Sequence, residues 1–397
     1  MPWYKSAWRS RLNGRYARWT ALRGVAAVAP GLTRAGGFYG RAVGVEQVAG
    51  RALHVETQVL ETPFRGDQID FIDRFCTKND GGVGRYWTPP LRFVDESFAA
   101  PEAIVLGHTG QALEREGRAL ITERGEPADW NHDKLGLLRE GAPVEGLAAP
   151  IRRFNSYFHF LFEFAVPFTA LLESGALRGA PVTLLLSEGS KRFAAETAAA
   201  LAARYGLSVR ALGARERVRA EAVWALRRTR PCPDWYPVSR ATADALAEAL
   251  RRRFGPAAAQ GGGPRLYLRR GREKLRNLTN AEALDGLLAA RGFEALIPAA
   301  DNFEAQIARS AAAREIAAVH GAALANLLFA RPGTRVVEIF GRGGCKSLYA
   351  LLCSMLGLEH SAVLGGAADA KQNFAAPLDL VEAALDAPAP GTFSSGF

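Results

Sequence analysis

The chain has 397 residues, of which 48% are hydrophobic, so it is too long for one ordinary domain and has apolar material for two cores. Its net charge of +10 is scattered along the sequence, which argues against a nucleic-acid binder and favours a small anionic ligand or an anionic membrane surface. The four cysteines form no C-x-x-C pair, and no apolar run reaches the roughly 18 residues that span a bilayer. We therefore expect a soluble cytoplasmic protein with reduced thiols.

Residues 1–44 form a basic segment in which aromatic and cationic side chains alternate, as in Trp3-Tyr4-Lys5 and Trp8-Arg9. This composition suits a membrane interface. However, Arg15 falls among the aromatic positions of a helical wheel, and Asn13-Gly14 interrupts the run. Two interpretations remain for this segment: peripheral contact with the inner face of the cytoplasmic membrane, and a solvated basic tail.

Residues 45–235 are predicted to form a first α/β domain, because short apolar strands alternate with an alanine-rich helix at Ser190–Tyr205. The predicted strands are Leu53–Leu60, Ala103–Gly107, Arg118–Thr122, Leu147–Arg152, Pro181–Leu186, Ser208–Leu212 and Ala222–Leu226.

One helix of this domain carries candidate catalytic residues. It follows the strand Leu147–Arg152 directly, and either Asn155 or Ser156 can cap it. His159 and Glu163 are four residues apart, so they share one face of an otherwise apolar helix. They form either a general-base pair or a buried bridge that only braces the fold.

Three prolines within residues 230–237 mark a domain boundary, and residues 236–374 alternate strand and helix more regularly. At the centre of this part, the strand Glu315–Val319 leads through a corner at His320-Gly321 into an apolar helix, Ala322–Ala330. A second buried strand, Arg335–Phe340, completes a βαβ unit. We therefore predict a doubly wound parallel sheet, followed by a tail at residues 375–397.

Polar groups recur where the predicted strands of this second domain end. These groups are Arg269-Arg270, the helix start from Asp301 to Gln306, His320-Gly321 and Glu338. Because the carboxyl ends of parallel strands share one edge, the groups are expected to converge on a pocket. Arginine can hold a diphosphate, and a carboxylate can accept from ribose hydroxyls. Each group also has a purely structural interpretation, as a solvated charge, a capping histidine or a surface ion pair.

Missing motifs restrict the chemistry further. The loop Gly341–Ser347 resembles a phosphate loop but has Cys345 where a P-loop has glycine, and no G-x-G-x-x-G follows a strand. No D-x-D triplet is present to clamp a divalent metal on a nucleotide sugar, and no G-x-S-x-G elbow is present. A diphosphate leaving group would then depend on arginine, lysine and helix termini.

Together these segments resemble glycosyltransferase family 61. The resemblance lies in Leu266-Tyr267-Leu268-Arg269-Arg270, Asn302-Phe303-Glu304-Ala305-Gln306, His320–Phe329, Pro332-Gly333 and Val337-Glu338-Ile339. The stretch from His320 is similar to the family's H-G-A-G-L-T-N-L-L-F signature, with Ala323 for its second glycine and Ala325 for its threonine. Tyr157-Phe158-His159 with Glu163 is similar to the family's aromatic-aromatic-His-x-x-x-acid motif, although Pro167 comes one residue late. The resemblance covers residues 101–344.

The resemblance implies a GT-B fold of two facing Rossmann-like domains with parallel sheets, and an inverting, metal-independent transfer from a nucleotide sugar, expected to be a UDP-sugar, to a glycan or lipid-linked acceptor. Bacterial members serve capsular polysaccharide synthesis. No other cofactor is implied. His159 or Glu163 would be the base. The implied donor-binding residues are Arg269, Arg270, Phe303, Gln306, His320, Gly321, Asn326 and Glu338.

Another class of function stays open at this stage, namely a non-catalytic nucleotide-binding subunit of a polysaccharide assembly machine. A nicotinamide-dependent oxidoreductase is disfavoured because its glycine fingerprint is missing. The sequence does not specify the donor sugar, the acceptor, the linkage or the oligomeric state.

Overall fold

The computed structural model describes residues 42–44, 50–61, 64, 66–76, 90–113, 119–121, 138–154, 156–232, 234–254, 265–271, 275–298 and 303–387. Of the predicted basic segment 1–44, only Ala42–Gly44 is among them. Asn155, Asp301, residues 255–264 and the tail from residue 388 also lie outside the described residues.

The described residues form two sheets and the helices that cover them. The strands are β1 (Ala42–Gly44), β2 (Arg51–Leu60), β3 (Leu91–Leu106), β4 (Ala112–Leu113), β5 (Ala119–Ile121), β6 (Arg139–Glu140), β7 (Val144–Ile151), β8 (Val182–Leu186), β9 (Ser208–Ala211), β10 (Glu216–Thr229), β11 (Arg265–Leu268), β12 (Glu294–Leu296), β13 (Glu315–Val319), β14 (Arg335–Arg342) and β15 (Glu359–Ala367). The α-helices are α1 (Gly66–Phe71), α2 (Tyr157–Phe160), α3 (Val166–Glu173), α4 (Arg192–Tyr205), α5 (Arg240–Phe254), α6 (Ala281–Ala290), α7 (Phe303–Ala312), α8 (Leu348–Leu356) and α9 (Leu378–Asp386). Two π-helices (Ile72–Cys76 and Leu161–Ala165) and a 3₁₀-helix (Ala322–Phe329) complete the set.

The first sheet is mixed, which corrects the expectation of a parallel sheet in this half. Its order is β1-β5-β4-β3-β10-β7-β8-β9, with β2 paired to β3 and β6 to β10. Strands β10, β7, β8 and β9 run parallel, whereas β3 is antiparallel to β2, β4 and β10. Buried and less buried positions alternate along the first half of β3, as expected for an antiparallel strand with one face on the core.

The second sheet is entirely parallel, as predicted, with the order β12-β11-β13-β14-β15. The strand order reverses direction between β11 and β13, so the carboxyl ends of these two strands flank a topological switch point. Open α/β sheets bind their ligands in the crevice at such a point. The fold therefore directs attention to the residues that follow Leu268 and Val319.

One continuous apolar cluster joins the two sheets. It contains Leu147 and Leu184 from the first sheet and Leu266 and Ile316 from the second, all at most 6% exposed. Helix α5 lies at this junction, since Arg253 forms an ion pair with Glu196 on α4 and Arg240 donates to the Ala330 carbonyl. Burial of this much apolar surface is the main force that holds the two halves together.

The central βαβ unit is present, with two differences from the predicted pattern. The segment after Gly321 is a 3₁₀-helix instead of an α-helix. Strand β14 continues to Arg342, so Glu338 lies in mid-strand, opposite Ala318 and Ala362, and not at a strand end. Among the described residues, no helix has the length and apolarity needed to span a membrane.

Candidate functional site

The switch point of the second sheet brings Arg270 against the backbone of Gly321. Arg270 Nη1 donates to the His320 carbonyl at 3.3 Å, and Nη2 donates to the Leu275 carbonyl at 3.0 Å. A Cβ atom on Gly321 would lie 2.2 Å from Arg270 Nη1, so glycine is what allows the guanidinium to come so close. The φ angle of Gly321 is 169°, which is ordinary extended backbone. Glycine is needed at this position because Arg270 occupies the space of a Cβ atom, and not because the backbone is strained.

Arg276 supplies a second cation in the loop before α6. Its φ angle of 62° is rare for arginine, and its backbone N–H donates to the Lys371 carbonyl at 2.9 Å. Burial lowers the pKa of the Arg276 guanidinium. Its Nε atom is buried and has no hydrogen-bond partner among the described residues. A partly buried guanidinium with an unused donor is suited to an anionic ligand.

Tyr349 on α8 connects these cations to the corner. Its hydroxyl donates to the Gly321 carbonyl at 2.8 Å, so it holds the corner from the side of α8. Burial, and next the negative charge of Glu338, raises the pKa of Tyr349 well above its ordinary value, while Arg276 and Arg270 act in the opposite direction. Tyr349 is therefore a neutral donor within electrostatic range of two arginines and one carboxylate.

Behind the corner, Glu338 accepts hydrogen bonds from two histidines. His320 Nδ1 lies 2.5 Å from Oε1, and His360 Nε2 lies 2.9 Å from Oε2. Glu338 is fully buried, and His320 is 5% and His360 2% exposed. Burial alone would raise the pKa of the Glu338 carboxyl, but the hydrogen bonds and charges of His320 and His360 outweigh it and lower the pKa. The carboxylate is ionised, so both histidines must be its donors.

The first half contributes His159 and Glu163, which the structure brings together as predicted from their spacing. His159 Nδ1 lies 2.7 Å from Glu163 Oε1, and the same oxygen accepts from the Tyr236 hydroxyl at 2.9 Å. Arg152 Nη2 is 3.9 Å from Oε2. The His159 side chain is 37% exposed and that of Glu163 only 9%. His159 is therefore the more exposed member of the pair, with Nε2 not used by Glu163, and Glu163 is the buried member.

Two local features shape this helix. Ser156 Oγ accepts from the His159 backbone N–H at 3.5 Å, so Ser156 provides the predicted N-cap. The helix then passes into the π-helix Leu161–Ala165, which contains Glu163. π-Helical turns inside longer helices are frequent at functional sites.

The ring of Phe158 lies between the two clusters. It packs edge-on against Tyr236 beside Glu163, with ring centroids 5.3 Å apart. It also packs edge-on against Tyr349 beside the Gly321 corner, at 6.0 Å. The His159–Glu163 pair and the arginine-lined corner are therefore separated by about one aromatic ring, although they come from different sheets.

A family model described as Glycosyltransferase 61 matches residues 157–337. The chain carries a glycosyltransferase 61 domain. The match confirms the predicted family and the prediction that this protein is a glycosyltransferase. It begins at Tyr157, later than the resemblance over residues 101–344 suggested. No curated protein matches the chain.

The matched range includes both ends of the site in this glycosyltransferase, from the His159–Glu163 pair to Arg270, Arg276 and Gly321. Glu338 and His360 lie just beyond it. The range also runs across both sheets, which agrees with a site assembled from the two halves.

Arg269 does not join this cluster. Its Nε and Nη2 both lie 2.8 Å from Asp285 Oδ2 on α6, and this hydrogen bond raises the pKa of the Arg269 guanidinium. Arg269 and Arg270 thus leave the end of β11 in different directions. Of the two arginines predicted to hold a diphosphate, Arg270 is the one at the corner of the transferase.

Phe303, Gln306 and Asn326 lie at the junction between the two halves. The Tyr157 hydroxyl donates to Asn326 Oδ1 at 3.0 Å, and Asn326 Nδ2 donates to Gln306 Oε1 at 3.2 Å. The Phe303 ring packs edge-on against Tyr157. All three are at most 7% exposed, so they link the helix that carries His159 to the helix after Gly321. Their predicted contact with the donor stays a prediction.

The glycine-rich loop before α8 contacts the domain linker. Lys346 Nζ forms an ion pair with Asp234, and the Trp235 indole N–H donates to Ser347 Oγ at 2.9 Å. Cys345 is fully buried. Lys346 and Ser347 are therefore engaged by the domain linker, so these contacts support a simple connection between β14 and α8 and not the phosphate loop that the sequence resembles.

Four residues of the site were not singled out from the sequence, and they are Arg276, Tyr349, His360 and Tyr236. Only Arg276 had a usable signal, because it follows Arg270 in the polar loop after a strand that already ends in arginine. A small cavity beside Glu163, lined also by Arg152, Phe154 and Trp224, was equally unexpected. Among the described residues, no cluster of three or more His, Cys, Asp or Glu side chains could hold a metal ion.

Proposed function

We propose that this transferase moves a sugar, with inversion and without a metal ion, from a nucleotide-sugar donor to a hydroxyl of a glycan or lipid-linked acceptor in surface or capsular polysaccharide synthesis. The observation that carries the proposal is the position of the His159–Glu163 pair next to a corner lined by Arg270 and Arg276. A proton acceptor and a cationic anion-binding corner are the two parts that such a reaction needs.

The donor diphosphate would bind at the Gly321 corner. The geometry of Arg270, held by two backbone carbonyls, supports this role, as does the unused donor of Arg276. Charge-assisted hydrogen bonds from arginine suit phosphate oxygens and contribute about 1.5–3 kcal/mol each. Negative charge that develops on the departing diphosphate would be stabilised by the same two guanidinium groups.

His159 would be the general base, with Glu163 as the group that orients it. Glu163 is the buried member, and it already accepts from Tyr236. His159 is more exposed and has Nε2 available. In the transfer, the acceptor oxygen attacks the anomeric carbon while the bond from that carbon to the diphosphate oxygen breaks. The hydroxyl proton passes to His159 Nε2, and the electron pair leaves with the nucleoside diphosphate.

We also propose a GT-B-like arrangement, in which the acceptor enters from the first half, residues 45–235, and the donor from the second, residues 236–374. The contacts of Phe158 and Tyr157 across the two sheets support this division. A cytoplasmic location, with peripheral membrane contact through residues 1–44, is part of the same proposal. Four buried thiols without disulfide bonds agree with a reducing compartment.

The proposal is tested by incubating the full chain with UDP-, GDP- and CMP-sugars, a panel of oligosaccharide and lipid-linked acceptors, and either EDTA or Mg²⁺. We expect one nucleotide sugar to raise the melting temperature and to give a product whose new glycosidic bond has the anomeric configuration opposite to that of the donor. Retention of configuration, or loss of turnover in EDTA, would contradict the proposed mechanism.

A further inference from the structure

The buried group His320–Glu338–His360 is not explained by the proposed chemistry. An ionised carboxylate with no exposed surface is costly unless donors satisfy its oxygens. Here His320 satisfies Oε1 and His360 satisfies Oε2. The two histidines are not equivalent. His320 lies next to the Gly321 corner, whereas His360 lies two strands away on β15.

The hydrogen bonds fix the protons of this group. Because Glu338 is ionised, His320 must present Nδ1–H and His360 must present Nε2–H. The Nε2 atom of His320 is then the ring nitrogen left for a ligand. The imidazole is held further by stacking on Phe340, at 4.9 Å between ring centroids, and by the edge of Tyr349 at 5.6 Å.

We propose that His360 and Glu338 are positioning residues of the nucleotide-sugar site, which hold the His320 ring in one orientation, with Nδ1–H on Glu338, so that Nε2–H donates to an oxygen of the donor diphosphate beside Arg270. The inference rests on the proposed function. It gives Glu338 a role behind the site and replaces the ribose contact that its position in the sequence suggested. It also gives His360, outside the matched family range, a part in donor binding.

Among the described residues, the other charged and titratable groups around this unit come from two elements. Arg270 and Arg276 approach from the loop between β11 and α6, and Tyr349 approaches from α8. Both arginines are cationic and Tyr349 is neutral, so they keep a fixed charge at neutral pH. The proton arrangement within the group therefore depends on Glu338 accepting from both sides.

The first test measures the proton positions directly, in the unmodified protein. We expect ¹⁵N spectra of histidine-labelled protein to show His320 carrying a proton on Nδ1 and His360 carrying a proton on Nε2, with the signals assigned through His320→Gln and His360→Gln. A His320 ring with its only proton on Nε2 would overturn the proposal.

The second test measures the dissociation constants of UDP, GDP and CMP by titration calorimetry. For the nucleotide that binds the parent protein, we expect His360→Leu to raise the dissociation constant by about tenfold. The reason is that one hydrogen bond to a charged group, that from His360 to Glu338, is lost behind the site. His360→Gln keeps an N–H donor and should stay within about threefold of the parent. Val363→Ala is the matched control, since Val363 is buried on the same strand but outside this group.

The outcomes distinguish a failure of the proposed function from a failure of the positioning role. If Arg270→Ala leaves nucleotide binding unchanged, the proposed function fails. If Arg270→Ala weakens binding but His360→Leu does so no more than Val363→Ala, the positioning role fails and the function stands. If Glu338→Gln weakens the binding of UDP far more than the binding of 2′-deoxy-UDP, Glu338 contacts the ribose directly and the positioning role is overturned.

Discussion

At the scale of single residues, the site depends on how closely Arg270 approaches the main chain at Gly321. The backbone of Gly321 is extended and would accept alanine, but a Cβ atom there would meet the guanidinium at 2.2 Å. The arginine side chain would have to move. Donor affinity and fold stability can therefore be separated at this position.

We predict that Gly321→Ala weakens nucleotide binding by about tenfold, which corresponds to the loss of one charge-assisted hydrogen bond, with little change in melting temperature. Gly286→Ala is the control. Gly286 lies on α6 with open space around it, and alanine there should stabilise the protein by about 0.5–1 kcal/mol with unchanged binding. Equal nucleotide affinity in the two variants would show that Arg270 does not contact the donor from this position.

The buried carboxylate at Glu338 has a consequence for acid stability. Its pKa in the folded protein is below the ordinary value of 4.5, so in this range the unfolded chain binds more protons. The stabilisation from Glu338 is complete above about pH 4.5 and is lost as the pH falls through the lower folded pKa. We predict a shallower loss of unfolding free energy below pH 4.5 in Glu338→Gln than in the parent, measured by urea titration at several pH values. Parallel slopes would contradict the ionised state assigned to this group.

Residue-level prediction from the sequence was successful where spacing alone sets the geometry. His159 and Glu163 meet because they are four apart on a helix, and Ser156 caps that helix as expected. The sequence could not tell that Arg269 turns to Asp285 while Arg270 turns to Gly321, because both follow the same strand. Glu338 was misplaced because β14 is longer than its apolar run.

At the scale of elements, the π-helix that carries Glu163 is held by a buried ion pair from the first sheet. Arg228 Nε lies 2.9 Å from both oxygens of Asp95, and Nη1 donates to the Phe162 carbonyl at 2.7 Å. The two side chains are 1% and 9% exposed. The guanidinium thus ties β10 and β3 to the carbonyl of a π-helical turn.

Arg228→Leu removes this tie together with the buried ion pair between Arg228 and Asp95. We predict a loss of about 3–5 kcal/mol in unfolding free energy, as is typical when one member of a buried ion pair is removed. The neighbouring Arg227→Leu is the control, because Arg227 pairs with Glu96 at a more exposed position and should cost about 0–1 kcal/mol. Similar losses in the two variants, measured by chemical denaturation, would refute the bracing role of Arg228.

Element prediction differed between the two halves for a physical reason. The second sheet was predicted well because its parallel strands are short apolar runs buried on both faces. In the first half, β3 buries Asp95 and Ser97 among its core-facing positions, which hides the apolar alternation of an antiparallel strand. Neither the length of β3 nor its pairing with β10 could be deduced from hydrophobicity alone.

At the scale of the whole molecule, the proposed site depends on the junction between the two halves. A shared apolar core, the hydrogen bonds from Tyr157 through Asn326 to Gln306, and the ring of Phe158 set the distance between the two halves. The sequence predicts a boundary between the two halves at residues 230–237. It could not predict how the halves meet, because contacts such as that between Tyr157 and Asn326 join residues far apart in the chain, in this case by 169 positions.

The most direct measurement compares nucleotide affinity and turnover in three proteins, namely the parent, His159→Ala and Arg270→Ala. Turnover is the release of nucleoside diphosphate from the sugar donor that binds the parent, in the presence of an accepted glycan. We predict that His159→Ala loses turnover by about 10²-fold or more with unchanged affinity, whereas Arg270→Ala loses both. Full turnover in His159→Ala, or unchanged affinity in Arg270→Ala, would contradict a single site formed by the two halves.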